Sequence, residues 1–313
     1  GLEVCEVLKE HGKVPKHPIE VIVFTDEEGF RFGKGLLGSS SLCGQDPDVS
    51  DDELDIYGEP RGEVMKSYGI TSANVMKAKR DPKTVHSFIE LHVEQGSRLY
   101  KAHTPVGVVS SIAGVNRYDV TVAGEANHAG STAMADRKDA LVAAAGFINK
   151  VPEIVKEYGN EFTVATVGTI KVTPHSVNVI PGTCTFSLEI RDQSAEVMKL
   201  IENHLRRLLE DICKKYGVTS TFVPTSYHDP APMSELVRGT IEEAVKELGI
   251  DYTVIPSGAF HDSLIMTSVF PTGMIFVPSK DGISHSRYEY TAPENIENGC
   301  NVLLNTVLKL DEK

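Results

Sequence analysis

Three short segments carry side chains whose types and spacing suit hydrolytic chemistry. In Thr25-Asp26-Glu27-Glu28-Gly29 two adjacent glutamates follow the apolar run 21–24. On an extended strand end neighbouring side chains point in roughly opposite directions, so one glutamate is able to hold a metal while the other addresses a metal-bound water. Paired acids after a strand also form ordinary solvated turns. His92 stands in residues 89–94, where Ile89, Leu91 and Val93 alternate with Glu90, His92 and Glu94. One face of that strand is therefore apolar and the other chemical. His285, in Gly282-Ile283-Ser284-His285-Ser286, is a second candidate ligand, although a lone histidine is more often a packed or surface imidazole. Carboxylate and imidazole together suit zinc.

A second group is suited to binding. Gln95-Gly96 closes the 89–94 run, and Glu125-Ala126-Asn127-His128-Ala129-Gly130-Ser131 places His128 in a small-residue loop after a strand. Asn178 stands in Val177-Asn178-Val179-Ile180-Pro181-Gly182, Arg191 in Glu189-Ile190-Arg191-Asp192, and His261-Asp262 follows Gly258. An arginine fork is the usual clamp for a carboxylate, and Arg191 also has Glu189 and Asp192 within reach as plain ion-pair partners.

The elements that must position these residues give an α/β reading. Leu2, Cys5, Val7 and Leu8 recur at helical spacing before Gly12, the signature of a helix and its stop. The run 21–24 predicts a strand buried on both faces of a mainly parallel sheet, with the two glutamates at its carboxyl end, where open α/β sheets build their sites. From about residue 106 the order becomes strand 117–123, helix 140–154, strands 163–172 and 184–190, helix 195–216 and strand 219–224. That β-α-β-β-α-β order predicts a ferredoxin-like α+β domain. The expected division is a catalytic α/β domain over 1–105 and 225–313, interrupted by an inserted domain over 106–224. Its second half reads as helix 234–248, strands 252–256 and 274–277, and a closing helix 293–310.

Bulk properties exclude several classes of partner. A net charge of −13, from 31 basic and 44 acidic residues, repels phosphate backbones, so no nucleic-acid partner is expected. No apolar run reaches the roughly 18–20 residues that span a bilayer, so no membrane partner is expected either. The five cysteines are odd in number, widely spaced and without a C-x-x-C pair, which fits a reducing, cytoplasmic setting. The chain opens directly on a helix without an initiator Met, and the reading is that it starts inside a longer protein.

The ordered segments TDEEG, ELHVEQG, GEANHAGS, NVIPG, SGAFHD and GISHS span the chain from end to end. Their order resembles the hydantoinase/carbamoylase branch of the aminoacylase-type zinc metallohydrolases. That branch includes N-carbamoyl-L-amino acid hydrolases, allantoate amidohydrolases, ureidoglycolate hydrolases and one type of β-ureidopropionase. The resemblance implies a zinc-exopeptidase-like catalytic domain and two Zn²⁺ ions, with Mn²⁺ or Co²⁺ as substitutes. Glu28, His92 and His285 would be metal ligands and Glu27 the general base. His128 would stabilise the oxyanion from a neighbouring subunit, while Gln95, Asn178, Arg191 and His261 would face the substrate. The inserted domain would be both lid and dimerisation surface of a homodimer, and the substrate a small ureido acid.

Departures from the pattern carry their own expectations. The family's His-x-Asp ligand and bridging aspartate would stand before residue 1, leaving only Glu28, His92 and His285 here and implying weak zinc binding. Arg287 replaces a common Pro, and Phe260 a common Gly. The activity implied is hydrolysis of the linear carbamoyl C–N bond of N-carbamoyl-L-amino acids. Allantoate or ureidoglycolate hydrolysis is the alternative within this chemistry, and a non-catalytic, metal-deficient ligand-binding homologue the alternative outside it.

Overall fold

A computed structural model describes all 313 residues. In chain order it begins with helices α1 (Leu2–Glu10), α2 (Leu37–Cys43), α3 (Arg61–Ser67) and α4 (Ser72–Val75), then strand β1 (Phe88–Val93), helix α5 (Arg98–Ala102) and strand β2 (Val106–Ile112). The middle of the chain supplies β3 (Gly114–Ala123), β4 (Asn127–His128), α6 (Ala140–Tyr158), β5 (Val164–Thr166), β6 (Ile170–Thr173), β7 (Val179–Ile180), β8 (Thr183–Asp192), α7 (Ala195–Tyr216) and β9 (Thr219–His228). It closes with β10 (Ala231–Pro232), α8 (Glu235–Glu247), β11 (Tyr252–Ser257), α9 (Asp262–Met266), β12 (Thr272–Val277) and α10 (Pro293–Leu310).

These elements form two compact units, Gly1–Ile112 with Ala231–Lys313, and Ala113–Pro230. The junctions lie a few residues beyond the expected 105/106 and 224/225. The reason is pairing: Val106–Ile112 hydrogen-bonds with β10, β11 and β12 of the first unit, while β9 stays registered with β3 as far as His228.

In the first unit the two long ladders, β1 with β12 and β2 with β11, are parallel, and the short contacts of β2 with β12 and β10 are antiparallel. All six residues of β12 are buried, as its unbroken apolar run requires for a central strand. Ile275 joins Val106, Val108, Val237, Ile241 and Val302 in one apolar layer, and Met274 and Phe276 join Leu99, Val109 and Ile255 in another. One expected strand is absent. Residues 19–24 pair with no strand, and Val23 is 92% exposed. An apolar run becomes a strand only where its N–H and C=O groups meet a partner, and although Ile19 and Phe24 pack near β1 side chains, none of the twelve strands hydrogen-bonds with this one.

The inserted unit has the expected ferredoxin-like order, β5-β8-β3-β9, fully antiparallel. Alternate residues of β8 (Cys184, Phe186, Leu188, Ile190) are buried against Phe147 of α6 and Met198, Ile201 and Leu205 of α7, the period-two burial of a sheet covered on one face. Asp139 caps α6 and Ser194 caps α7, each accepting backbone N–H bonds of the first turn. The strand expected over 163–172 is split into β5 and β6, because Thr169 turns its N–H to the Ser187 hydroxyl between the two ladders.

Candidate active site

The two adjacent glutamates are placed by a tight loop. The Glu27 carbonyl accepts the Leu36 N–H at 3.0 Å, the Thr25 carbonyl the Gly38 N–H at 3.0 Å, and the Gly29 carbonyl the Gly33 N–H at 2.7 Å. A Cβ at Gly35 would stand 2.2 Å from the Glu27 carbonyl oxygen, so this backbone approach is open to glycine alone. Emerging from the loop, Glu28 lines an open pocket of about 720 Å³ with His92, Gln95, His285 and Glu289. Glu27 instead lines a separate cavity with Glu90, His92 and Asp262. The glutamates thus line different spaces, from a bent loop and not from the strand end expected, and His92 borders both.

Strand β1 sorts its three polar side chains. Glu94 caps the next helix, accepting the Arg98 and Leu99 N–H groups at 2.9 and 2.8 Å. Glu90 accepts the Ser263 N–H at 3.1 Å and its hydroxyl at 2.6 Å. His92 places Nδ1 2.8 Å from its neighbour's carbonyl, which fixes the proton there and leaves Nε2 as an electron-pair donor. In the open pocket, His285 Nε2 lies 3.3 Å from Glu28 Oε1 and 3.3 Å from Gln95 Nε2. Gln95, His285 and Asp26 all have positive φ (57°, 53° and 55°). Such backbone is rare outside glycine and gathers at functional sites.

Electrostatics set Glu27 apart. Burial, then the carboxylates of Glu28, Asp262 and Glu90, push its carboxyl up to about 7. Burial likewise raises Asp262 to about 6, against a hydrogen bond from Ser39, and Asp262 Oδ1 has no hydrogen-bond partner. His261 is 1% exposed, donates or accepts at Ser257 Oγ through Nε2 at 2.8 Å, and packs edge-on against His92 with centroids 4.4 Å apart. Burial, reinforced by His92, holds it down to about 3, so it stays a neutral imidazole. The expected substrate contact at His261 does not fit this burial; the ring backs His92 instead.

Residues 1–309 match the model of peptidase family M20/M25/M40. The chain belongs to that family. Among curated relatives, an N-carbamoyl-L-amino acid amidohydrolase of Geobacillus stearothermophilus is 41% identical over 310 residues, covering 99% of this chain and 75% of the relative. An allantoate amidohydrolase of Bacillus subtilis is 34% identical, covering 97% of this chain and 73% of the relative. Among solved structures, a hydantoinase/carbamoylase-family amidase of Burkholderia multivorans superimposes with a TM-score of 0.88 at 33% identity, covering 100% of this chain and 75% of that one.

In this M20 member the remaining expected residues belong to the inserted unit. His128 and Asn178 meet on the β4–β7 ribbon, where His128 pairs with Val179 and the Ala129 N–H bonds the Asn178 carbonyl at 2.9 Å. His128 Nδ1 accepts the Gly130 and Ser131 N–H groups at 3.0 and 3.2 Å. That assigns its proton to Nε2, which faces outward as a donor. Arg191 donates through Nε to Glu189 at 2.7 Å. Burial pushes the Glu189 carboxyl up, but hydrogen bonds from Arg191 and Arg117 outweigh it and keep it ionised.

The donor set suits a divalent metal. Glu90, His92 and His261 each offer a ligand atom within 4.8 Å of the others, beside the unpartnered Asp262 oxygen. Across His92, Glu28 and His285 add a carboxylate and an imidazole. Oxygen and imidazole donors around a desolvated acidic cluster are the chemistry of a zinc-type cation. The sequence pattern flagged Glu90 as sharing the polar face of His92, and the resemblance placed Asp262 with His261 near the site, but neither assigned the Asp262 charge a role.

Proposed function

We propose that the chain hydrolyses the linear carbamoyl C–N bond of N-carbamoyl-L-amino acids. The observation that carries this reading is the divergence of Glu27 and Glu28 on either side of His92, with Glu27 raised to about 7. Zinc held by Glu28, His92 and His285, as two ions in this reading and with Mn²⁺ or Co²⁺ as substitutes, would polarise the carbonyl and acidify water. Glu27 Oε takes the proton of the attacking water and returns it to the leaving nitrogen, a task that needs a base poised near neutrality. His128 offers its Nε2–H to the oxyanion from a second copy of the chain. Gln95 and Asn178 hold the polar ureido group, and Arg191, its fork oriented by Glu189, binds the carboxylate.

The reading takes the protein as a cytoplasmic homodimer, with the inserted unit as lid and dimerisation surface. No helix is long and apolar enough to cross a membrane, and none of the five cysteines forms a disulfide. A second reading, allantoate or ureidoglycolate hydrolysis, is favoured by the similarity to the Bacillus subtilis allantoate amidohydrolase.

The test is turnover of a panel of N-carbamoyl-L-amino acids, allantoate and ureidoglycolate with added Zn²⁺, Mn²⁺ or Co²⁺. Preferential cleavage of N-carbamoyl-L-amino acids is expected, and preference for allantoate or ureidoglycolate selects the second reading. Cleavage of dipeptides or N-acetyl amino acids with no ureido turnover overturns both.

A further inference from the structure

The loop that carries Glu27 and Glu28 is built around a buried arginine outside every motif discussed so far. Arg61, the first residue of α3, is 1% exposed. Its Nε and Nη2 lie 3.0 and 2.9 Å from Glu53 Oε2, and its backbone N–H bonds the Glu53 carbonyl at 2.8 Å. The guanidinium stacks on the Phe32 ring, 3.8 Å from its centroid, and Nη1 stands 3.9 Å from Asp26 Oδ2, an ion-pair contact without a hydrogen bond that leaves the buried Asp26 Oδ2 with the arginine charge as its compensation. A fully buried arginine is uncommon and is tolerated only where its charge is matched. Here the matching acids are Glu53, from its own segment, and Asp26, the residue immediately before the glutamate pair.

Asp26 has a left-handed backbone, φ 55°, which a non-glycine residue keeps only when its surroundings hold it. We infer that Arg61 is a positioning residue that holds Asp26 in this turn and thereby decides which of Glu27 and Glu28 faces which side of His92. Arg31 braces the same loop from the other direction, ion-pairing with Asp55 and Glu59 while its carbonyl accepts the Ile56 N–H at 3.0 Å. Segments 26–32 and 51–61 are therefore cross-linked by two arginines of opposite reach. Released from Arg61, Asp26 relaxes toward the extended region. Because Asp26 immediately precedes the pair, that rotation redirects the backbone that carries Glu27 and Glu28 and turns both away from their present sides.

The inference rests on the hydrolytic reading above, and its test separates the two. Asp26→Asn and Arg61→Lys keep size and much of the polarity, so they are the informative variants, with Asp26→Asn/Arg61→Lys closing the cycle. Each is checked for folding by circular dichroism. Zn²⁺ affinity of the metal-free protein is measured by calorimetry, and kcat and KM on whichever ureido substrate the wild type turns over. The expected result is a loss of about 10- to 100-fold in kcat and in Zn²⁺ affinity with little change in KM, the double variant being no worse than the poorer single one.

Folded variants that lose thermal stability yet keep Zn²⁺ affinity and kcat within twofold of wild type show a purely structural arginine and overturn the inference. A wild type without ureido turnover whose Zn²⁺ affinity still falls in the variants overturns the hydrolytic reading alone. A wild type with neither turnover nor Zn²⁺ binding overturns both.

Discussion

The Glu27 carboxyl holds its proton to about pH 7 chiefly because it is partly buried, and further because the carboxyls of Glu28, Asp262 and Glu90 lie near it. A folded-state pKa above the unfolded value of 4.5 stabilises the fold below pH 4.5, and that stability is lost as pH rises through about 7. In metal-free protein the ionised side chain is therefore a liability at pH 8. After allowance for solvent screening its cost is on the order of 1–2 kcal/mol. Glu27→Gln should raise the metal-free Tm at pH 8 by roughly 3 °C, with the advantage vanishing near pH 4.5 in a series of thermal scans. A gap that does not change with pH would remove the ionised carboxylate as its cause. In the metal-loaded protein the same variant should keep Zn²⁺ but lose about 10²- to 10⁴-fold in kcat. The divergence of Glu27 and Glu28 agrees with the sequence expectation but not with its premise, because the pair stands in a bent loop and not on the strand end from which alternation was argued. The burial of His261 and of Arg61 was not legible in the sequence, since both depend on which distant segments fold over them.

At the scale of the element, the loop from Thr25 to Gly38 works by backbone contact. Gly33 and Gly35 look alike in sequence, yet a Cβ at Gly33 meets nothing within 4 Å, whereas one at Gly35 strikes the Glu27 carbonyl oxygen. Gly33 has φ +73°, so Gly33→Ala should cost about 1 kcal/mol for the left-handed backbone alone. Gly35→Ala should cost about 1–3 kcal/mol by overpacking and also displace Glu27. Urea denaturation separates the two costs, and activity separates them further, because only Gly35→Ala should depress kcat. Equal kcat in both variants would mean that the loop's closure does not aim the carboxylate. The apolar spacing is intrinsic to the five longest helices, α1, α6, α7, α8 and α10, and to most long strands, so these were legible, whereas the short helices α2 to α5 and α9 and the strand β2 were not. Pattern reading overstated residues 19–24, where the apolar signal was sound but a strand also needs a partner, and it joined β5 to β6 across a break set by Ser187.

At the scale of the whole molecule, the inserted unit has the physical marks of a piece that folds by itself. Its sheet pairs only within Ala113–Pro230, and its core of β3, β8, α6 and α7 side chains is drawn entirely from the same residues. The two chain crossings lie side by side, since Val115 opposite His228 ends the β3–β9 ladder, and adjacent termini are what an insertion requires. The order of strands and helices was readable in advance because a ferredoxin-like unit is specified by local periodicity and short connections. The junctions were less so, because β2 and β3 are neighbours in sequence that belong to different sheets. Residues 113–230 expressed alone should therefore unfold cooperatively in urea, with coincident circular dichroism and fluorescence transitions. His128 in that fragment should keep its proton on Nε2, because the Gly130 and Ser131 N–H groups that occupy Nδ1 lie in the same loop. Nitrogen NMR of the imidazole reads the tautomer directly. A fragment that folds but shows the Nδ1–H form would mean that the donor proposed for the oxyanion is not preset by its own loop.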